Sequence, residues 1–265
     1  MEGRDRWAAV AATLPQAERR ARELPFWSAL AERWGWRRVA DAGCGAGFHL
    51  GLLRDLGVGA VGFDLAVAAL RTAPGHSVCA GDVLAPPFRP DAFDAVLCLG
   101  NTISLLPDRA AQRRALAVLA ALLRPGGVLV LQGEDAARNV AHGPVVRTRR
   151  IDAETVHVRL FERRGRRVRM LASVAQAGGE APVEETLLLP TTAATIRRSA
   201  GPLGLSPVDV PASPPGGGAA WWAALVKTGD RGRGTAPTTH PGARQHQGDE
   251  GRVRPPVRSL PSGGS

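Results

Sequence analysis

Three aspartates stand at matching places in this sequence. Asp41 closes a short apolar run and opens Asp41-Ala42-Gly43-Cys44-Gly45-Ala46-Gly47-Phe48-His49-Leu50. Asp64 closes Ala60-Val61-Gly62-Phe63, and Asp82 sits in Gly81-Asp82-Val83 just after the run His76 to Ala80. Gly43, Gly45 and Gly47 let the backbone turn sharply and leave no side chain between it and a ligand. A helix opening near Phe48 directs its unsatisfied N–H groups into the same space. Asp64 follows the glycines at close to the ~20 residues expected of an acid that grips a ribose diol. A third acid two positions past a strand suits an adenine amino group. The loop is neither Gly-x-Gly-x-x-Gly nor a Walker loop ending in Gly-Lys-Ser/Thr, and no basic cluster adjoins it to neutralise a pyrophosphate. The pattern therefore points to a nucleoside without phosphates.

The carboxylates share one site only if their strands lie side by side. From Arg38 the pattern alternates strand and helix, as in a parallel sheet with crossover helices. Strands are expected at 39–42, 60–64, 76–80, 93–99 and 128–131, with helices at 47–56, about 66–70, and from an Asp108 cap to the stop at Pro125-Gly126-Gly127. Short apolar runs with little alternation fit strands buried on both faces. Residues 1–37 read as helical pieces, Pro15 opening one and Pro25 another, with Trp27, Leu30 and Trp34 on one face. That face either packs on the sheet or also serves as a lid over the ligand cleft.

After 131 the period changes to two. Val156, Val158 and Leu160, then Val168, Met170, Ala172 and Val174, predict an antiparallel hairpin around Glu162-Arg163-Arg164-Gly165-Arg166-Arg167. Thr191 or Thr192 caps a further helix over 193–199, and 205–210 and 221–226 are the last strands. From Gly229 on the chain lacks large apolar residues and reads as disordered.

The 265 residues suit one domain with appendages, and 44% hydrophobic content is ordinary for a globular protein. No apolar run is long enough for a membrane span, and no secretory-type apolar core follows Met1. Cys44, Cys79 and Cys98 fall in or beside predicted buried strands without metal-ligand spacing, so reduced thiols in a cytoplasmic protein, with no metal, are expected. Cys44, inside the glycine loop, is also a candidate reactive thiol. The net charge of +10 and isoelectric point of 11.3 suggest nucleic acid. However, Lys227 is the only lysine among the basic residues and the tail contributes many of the arginines, so charge alone decides nothing.

The loop Asp41–Gly47, Gly62-Phe63-Asp64, Gly81-Asp82-Val83, Leu99-Gly100-Asn101 and Leu123-Arg124-Pro125-Gly126-Gly127 together resemble the class I S-adenosylmethionine-dependent methyltransferases over about 38–132. Phe48-His49 and the stretch Leu99 to Pro107 are similar to the bacterial glycine N-methyltransferase-like group of small-molecule methyltransferases. The resemblance implies an α/β fold: a Rossmann-like, doubly wound, mostly parallel seven-stranded sheet with an antiparallel last strand and an antiparallel hairpin inserted after strand five. The domain would span 38–228, with the insertion at about 145–190 and a tail at 229–265. It further implies S-adenosylmethionine as cofactor. Gly43, Gly45 and Gly47 would lie along its methionine part and Asp41 near its ammonium. Asp64 would take both ribose hydroxyls, Leu65 would lie beside them, Asp82 would take the adenine amino group, and Val83 the ring edge. Leu99 and Asn101 would stand where donor and acceptor meet.

His49 and Asn101 are the candidate catalytic residues, and Gln132, Glu134 and Asp135 are candidate acceptor contacts after strand five. The expected acceptor is a small-molecule amine or hydroxyl. An RNA or protein acceptor held by the basic hairpin is one alternative, and a non-catalytic cofactor-binding protein is another. The absence of tyrosine argues against glycine itself as acceptor.

Overall fold

The computed structural model describes residues 16–73, 75, 77–176, 183–210, 214–215 and 220–228. The expected helix start at Pro15 and the expected disordered tail lie outside them.

Helix α1, Gln16–Trp34, runs straight through Pro25, where a second helix was expected to begin. A proline inside a helix costs about 3 kcal/mol. Phe26, Trp27, Leu30 and Ala31 are buried beside it, and large apolar side chains return about 1.5–3 kcal/mol each on burial. Packing therefore outweighs the lost hydrogen bond.

Strands and helices then alternate: β1 Arg38–Ala42, α2 Phe48–Asp55, β2 Gly59–Asp64, α3 Val67–Arg71, β3 Ser77–Ala80, β4 Phe93–Cys98, α4 Arg109–Leu122 and β5 Leu123–Glu134. Next come α5 Ala136–Asn139, β6 Val145–Arg150, β7 Thr155–Arg164, β8 Arg167–Gln176 and β9 Val183–Leu188. The chain continues with α6 Ala193–Ala200, β10 Leu205–Val208 and β11 Ala220–Lys227. The larger sheet has the order β10-β11-β5-β4-β1-β2-β3. The β1, β2, β3, β4 and β5 pairings are parallel, and β11 is antiparallel to both β5 and β10. Strand order reverses between β1 and β4, which leaves a crevice at their carboxyl ends.

The sheet is buried on both faces with a period of two. Ala40, Ala42, Val96, Cys98, Leu129 and Leu131 pack with Leu116 and Leu119 of α4 and Ile196 of α6. Their neighbours Val39, Ala95, Leu97, Val128 and Val130 face the other way, onto Trp27 and Leu30 of α1 and Leu52 and Leu53 of α2. β3 is the exception. It is an edge strand, so Cys79 is exposed where a buried thiol was expected. Ladder pairing of β5 starts at Leu123, earlier than the expected 128, because Leu123 pairs with Phe93 before Arg124 to Gly127 bulge out opposite Asp94. The expected hairpin is the centre of a separate four-stranded sheet, ordered β6-β7-β8-β9. Its outer strand β6 is largely exposed and carries Arg147, Arg149 and Arg150, and β9 carries a buried Glu184 beside an exposed Glu185, so charge masks their alternation.

Asp94 braces the amino end of this sheet. One carboxylate oxygen accepts the N–H of Arg37 at 2.7 Å and of Arg38 at 2.8 Å, and the other accepts from Arg124. Burial alone would raise this carboxyl, but the Arg37 N–H, the Arg124 side chain and the Arg38 N–H hold it below its ordinary value. A carboxyl depressed in the folded state adds stability above its unfolded pKa and loses it as pH falls through the folded value. Asp94→Ala is thus expected to lower unfolding free energy by about 1–3 kcal/mol. In urea melts the gap from wild type should close below about pH 4; a gap independent of pH would contradict the ionic brace.

Candidate active site

The crevice begins where β1 runs out. The N–H groups of Gly43 and Cys44 both donate to the Phe63 carbonyl, at 2.8 and 3.2 Å, which folds the glycine loop over the end of β2. Gly43, Gly45 and Gly47 all have positive φ, at 79°, 53° and 79°. Side chains are disfavoured at these positions on backbone grounds alone. A Cβ on Gly43 would also lie 2.5 Å from the Thr102 hydroxyl oxygen, whereas nothing lies within 4 Å of the place a Cβ would take on Gly45. The middle of the loop thus presents bare backbone to open space. Gly47 begins α2 without a side-chain cap.

Asp64 receives the Gly45 N–H on one oxygen and the Ala66 N–H on the other, both at 2.8 Å. Each oxygen retains a lone pair for a ligand. Leu65 beside it is exposed and Val83 buried. Asp82 closes its own turn by accepting the Leu84 N–H at 2.9 Å.

Asp41 is different. It is 1% exposed, and its Oδ2 has no hydrogen-bond partner among the described residues. His49 Nδ1 lies 4.0 Å from that oxygen. Burial pushes the Asp41 carboxyl up to about 6, with Asp64 adding to the effect and His49 and Arg19 opposing it. Burial likewise holds the Cys44 thiol far above its ordinary value. Cys44 is therefore a poor nucleophile, and the loop thiol is a packing residue.

Past the loop, β4 and β5 end in a mutual brace. Gly100 N–H donates to the Gln132 side-chain oxygen at 2.9 Å, and Glu134 N–H to the Asn101 side-chain oxygen at 2.6 Å. Asn101 takes a left-handed φ of 71° to reach that position. A cavity of about 130 Å³ opens here, lined by Arg22, Glu23, His49, Leu99, Gln132 and Trp222 among others. Of the expected acceptor contacts, Gln132 lines it. Glu134 does not; its carboxylate is held by Arg147 and Arg159 of the smaller sheet. Asp135 caps α5 through the Arg138 N–H.

Sequence reasoning did not pick out Glu23, Arg22 and Trp222. Glu23 had a legible signal, since it stands four residues before Trp27 and therefore on the apolar side of α1. Glu23 accepts from Arg19 Nε at 2.7 Å and from Trp27 Nε1 at 3.3 Å, and its Oε2 lies 3.5 Å from His49 Nε2. Burial alone would raise its carboxyl; the adjoining His49 and Arg19 outweigh that and bring it down to about 2.

The donor set fits S-adenosylmethionine. The unpartnered, buried Asp41 oxygen suits an ammonium group, Asp64 keeps free lone pairs for hydroxyls, and the Gly45 backbone admits close approach. Among the described residues no group of three His, Cys, Asp or Glu could hold a metal ion.

Comparison with known proteins agrees. A family model described as "Methyltransferase domain" matches residues 39–127. The glycine/sarcosine N-methyltransferase of Parasynechococcus marenigrum (strain WH8102) is 31% identical over 157 residues, covering 54% of this chain and 53% of that protein. The chain spans about half or less of the length of the curated relatives it matches. Two solved structures are similar across most of their length. The sugar N-methyltransferase KedS8 from Streptoalloteichus sp ATCC 53650 is 25% identical with a TM-score of 0.63, covering 79% of this chain and 88% of that one. The S-adenosylmethionine-bound amino pentose methyltransferase CalS10 from Micromonospora echinaspora is 27% identical with a TM-score of 0.59, covering 75% and 89%. Residues 39–127 are thus a methyltransferase domain, and in sequence and fold the chain is similar to S-adenosylmethionine-dependent methyltransferases of known structure.

Proposed function

We propose that the chain transfers a methyl group from S-adenosylmethionine to an amine, or a hydroxyl, of a small molecule. The observation that carries this reading is the buried Asp41 oxygen, which has no partner among the described residues, sits under an open glycine loop and lies 4.0 Å from His49 of the pocket lining. Asp41 would hold the cofactor ammonium, Gly43, Gly45 and Gly47 the methionine part, Asp64 the ribose with Leu65 beside it, and Asp82 and Val83 the adenine. When bound, the cofactor supplies a sulfonium methyl, which needs an in-line nucleophile held close and kept dry. Leu99 and Trp222 form apolar wall there, and the Asn101 and Gln132 braces fix the ends of β4 and β5. His49 is the one imidazole in the pocket lining and is the candidate proton acceptor.

An amine acceptor is in keeping with the sugar N-methyltransferase and the amino pentose methyltransferase. Four of the insertion's arginines are held within the protein. Arg147 and Arg159 meet Glu134, Arg169 meets Glu162 and Glu185, and Arg167 donates to the Pro107 carbonyl. This leaves Arg149 and Arg150 exposed on β6 and Arg163, Arg164 and Arg166 exposed at the β7–β8 turn, the residues that an RNA or protein acceptor would have to use.

Titration calorimetry with S-adenosylmethionine tests the cofactor site. Asp64→Ala is expected to weaken binding by about 1.5–3 kcal/mol, the range of a hydrogen bond to a charged group; a loss under about 1 kcal/mol would refute the ribose assignment. Because the Asp41 carboxyl is raised to about 6 in the free protein and an ammonium partner favours its ionised form, binding should release a proton in acid. Affinity is expected to be flat at neutral pH and to fall about tenfold per pH unit well below 6, and Asp41→Asn should flatten that slope. Labelled-methyl transfer to a panel of small amines and phenols tests the reaction, and cofactor binding without turnover on any acceptor would favour the non-catalytic alternative.

A further inference from the structure

The two faces of the smaller sheet differ. His157, Phe161, Met170, Ala172 and Leu188 share one face by ladder register, and each is buried, with Ala136 and Val140 packed on that side. The other face is apolar yet open. At its centre β7 presents Val156, Val158, Leu160 and Glu162. These pair in turn with Ala175, Ser173, Leu171 and Arg169 of β8, and none of the eight is buried. At its edges stand Val146 of β6, 61% exposed, and Val183 and Leu187 of β9, 60% and 40% exposed. Those three are half of the six exposed large apolar side chains among the described residues, so apolar exposure is concentrated on this face. Four strands about 4.8 Å apart, with about eight residues each at about 3.4 Å, give a face of about 500 Å². Contiguous apolar surface on that scale marks a contact with another molecule.

We propose that this face is the contact between two copies of the chain, related by a two-fold axis parallel to its strands. The inference does not depend on the identity of the methyl acceptor.

Self-complementarity of the two central strands selects a second copy as the occupant. Sheets packed face to face lie about 10 Å apart with their strands within about 30° of one another. Turning a copy about that axis lays its β8 over β7 and its β7 over β8, at the same level along the strands. Val156 and Val158 then face Ala175 and Ser173 of the second copy, so bulky side chains meet small ones. Leu160 meets Leu171. Glu162 meets Arg169, and symmetry makes every one of these contacts twice. Within one chain Arg169 donates to Glu162 at 2.9 Å and to Glu185 at 2.8 Å, and its five N–H donors leave others for a further carboxylate. Arg167, at the same end of β8, is turned aside to the Pro107 carbonyl. Joining two copies edge to edge is disfavoured instead. Pairing β6 with β6 would gather Arg147, Arg149 and Arg150, and pairing β9 with β9 would gather Glu184 and Glu185. The sequence after Gly229 has few large apolar residues to lay on the face. Two copies together would cover about 1,000 Å², the lower end for a specific interface.

Sedimentation of the full chain at about 50 µM, a concentration suited to an interface of that size, tests the proposal. The expected mass is twice 27.8 kDa. Leu160→Lys is expected to weaken association at least about tenfold and give a monomer, with its folding checked by cofactor titration. A second arm needs no destabilising change. Cys44 and Cys98 are buried and Cys79, on β3 of the larger sheet, is exposed. Ser173→Cys in a Cys79→Ser background should therefore be joined to its counterpart by a bismaleimide spanning about 10 Å, the spacing of packed sheets. Wild type, whose exposed thiol lies on the other sheet, should not be joined. A monomer at that concentration overturns the proposal; if Ser173→Cys in that monomer also resists maleimide, the face is covered by a segment of the same chain. A dimer that survives Leu160→Lys, or one joined through Cys79 and not through position 173, overturns it equally.

Discussion

The structure depends on one carbonyl. Phe63 closes the β2 ladder with an oxygen that accepts from both Gly43 and Cys44, and the adjoining Asp64 carboxylate accepts from Gly45. Those three bonds fold the loop after β1 back across the end of β2. Positive φ at all three glycines makes the path available without strain. Asp41, Asp64 and His49 are thereby gathered at one end of the sheet, although 23 positions separate the first two. Moving the loop outward would expose Asp41 to water and remove the desolvation that raises its carboxyl.

From that fixed corner the remaining walls follow by packing. Reversal of strand order between β1 and β4 opens the crevice. Asn101 and Gln132 brace its far side, each with a side-chain oxygen that accepts a backbone N–H across the β4–β5 boundary. Glu134 takes the two arginines that dock the smaller sheet, and α1 closes the near side with Trp27 and Glu23. The polar groups of these walls are thus compensated inside the fold, whereas Asp41 Oδ2 has no partner among the described residues.

Much of this was legible because it lies in local patterns. The alternate glycines, the acid at the end of β2 and the Asp108 cap, which does accept the Ala111 N–H, are all set by backbone requirements over a few residues. The sheet strands were readable where both faces are buried, as in β4. Reading failed where tertiary contacts decide. Pro25 stays inside α1 because of the apolar residues around it, and Arg124 to Gly127 bulge within β5 because Asp94 receives the Arg37 and Arg38 amides opposite them. The outer strands β6 and β9 carry charge where an apolar alternation would have marked them. Glu134 looked available in sequence order, but its partners Arg147 and Arg159 approach from a sheet whose docking no short-range pattern encodes. Glu23 needed the position of Trp27 to be read as a place for a carboxylate as well as for a ring.

The central claim is that the Asp41 corner receives the amino-acid end of S-adenosylmethionine and turns its methyl group towards the pocket beside His49. A crystal structure of the complex with S-adenosylmethionine measures this directly. The account predicts the ammonium within hydrogen-bond reach of Asp41, the ribose hydroxyls on Asp64, and the sulfonium methyl facing the space between His49, Leu99 and Gln132. A cofactor bound with its ammonium away from Asp41, or with its methyl directed away from that space, would contradict it.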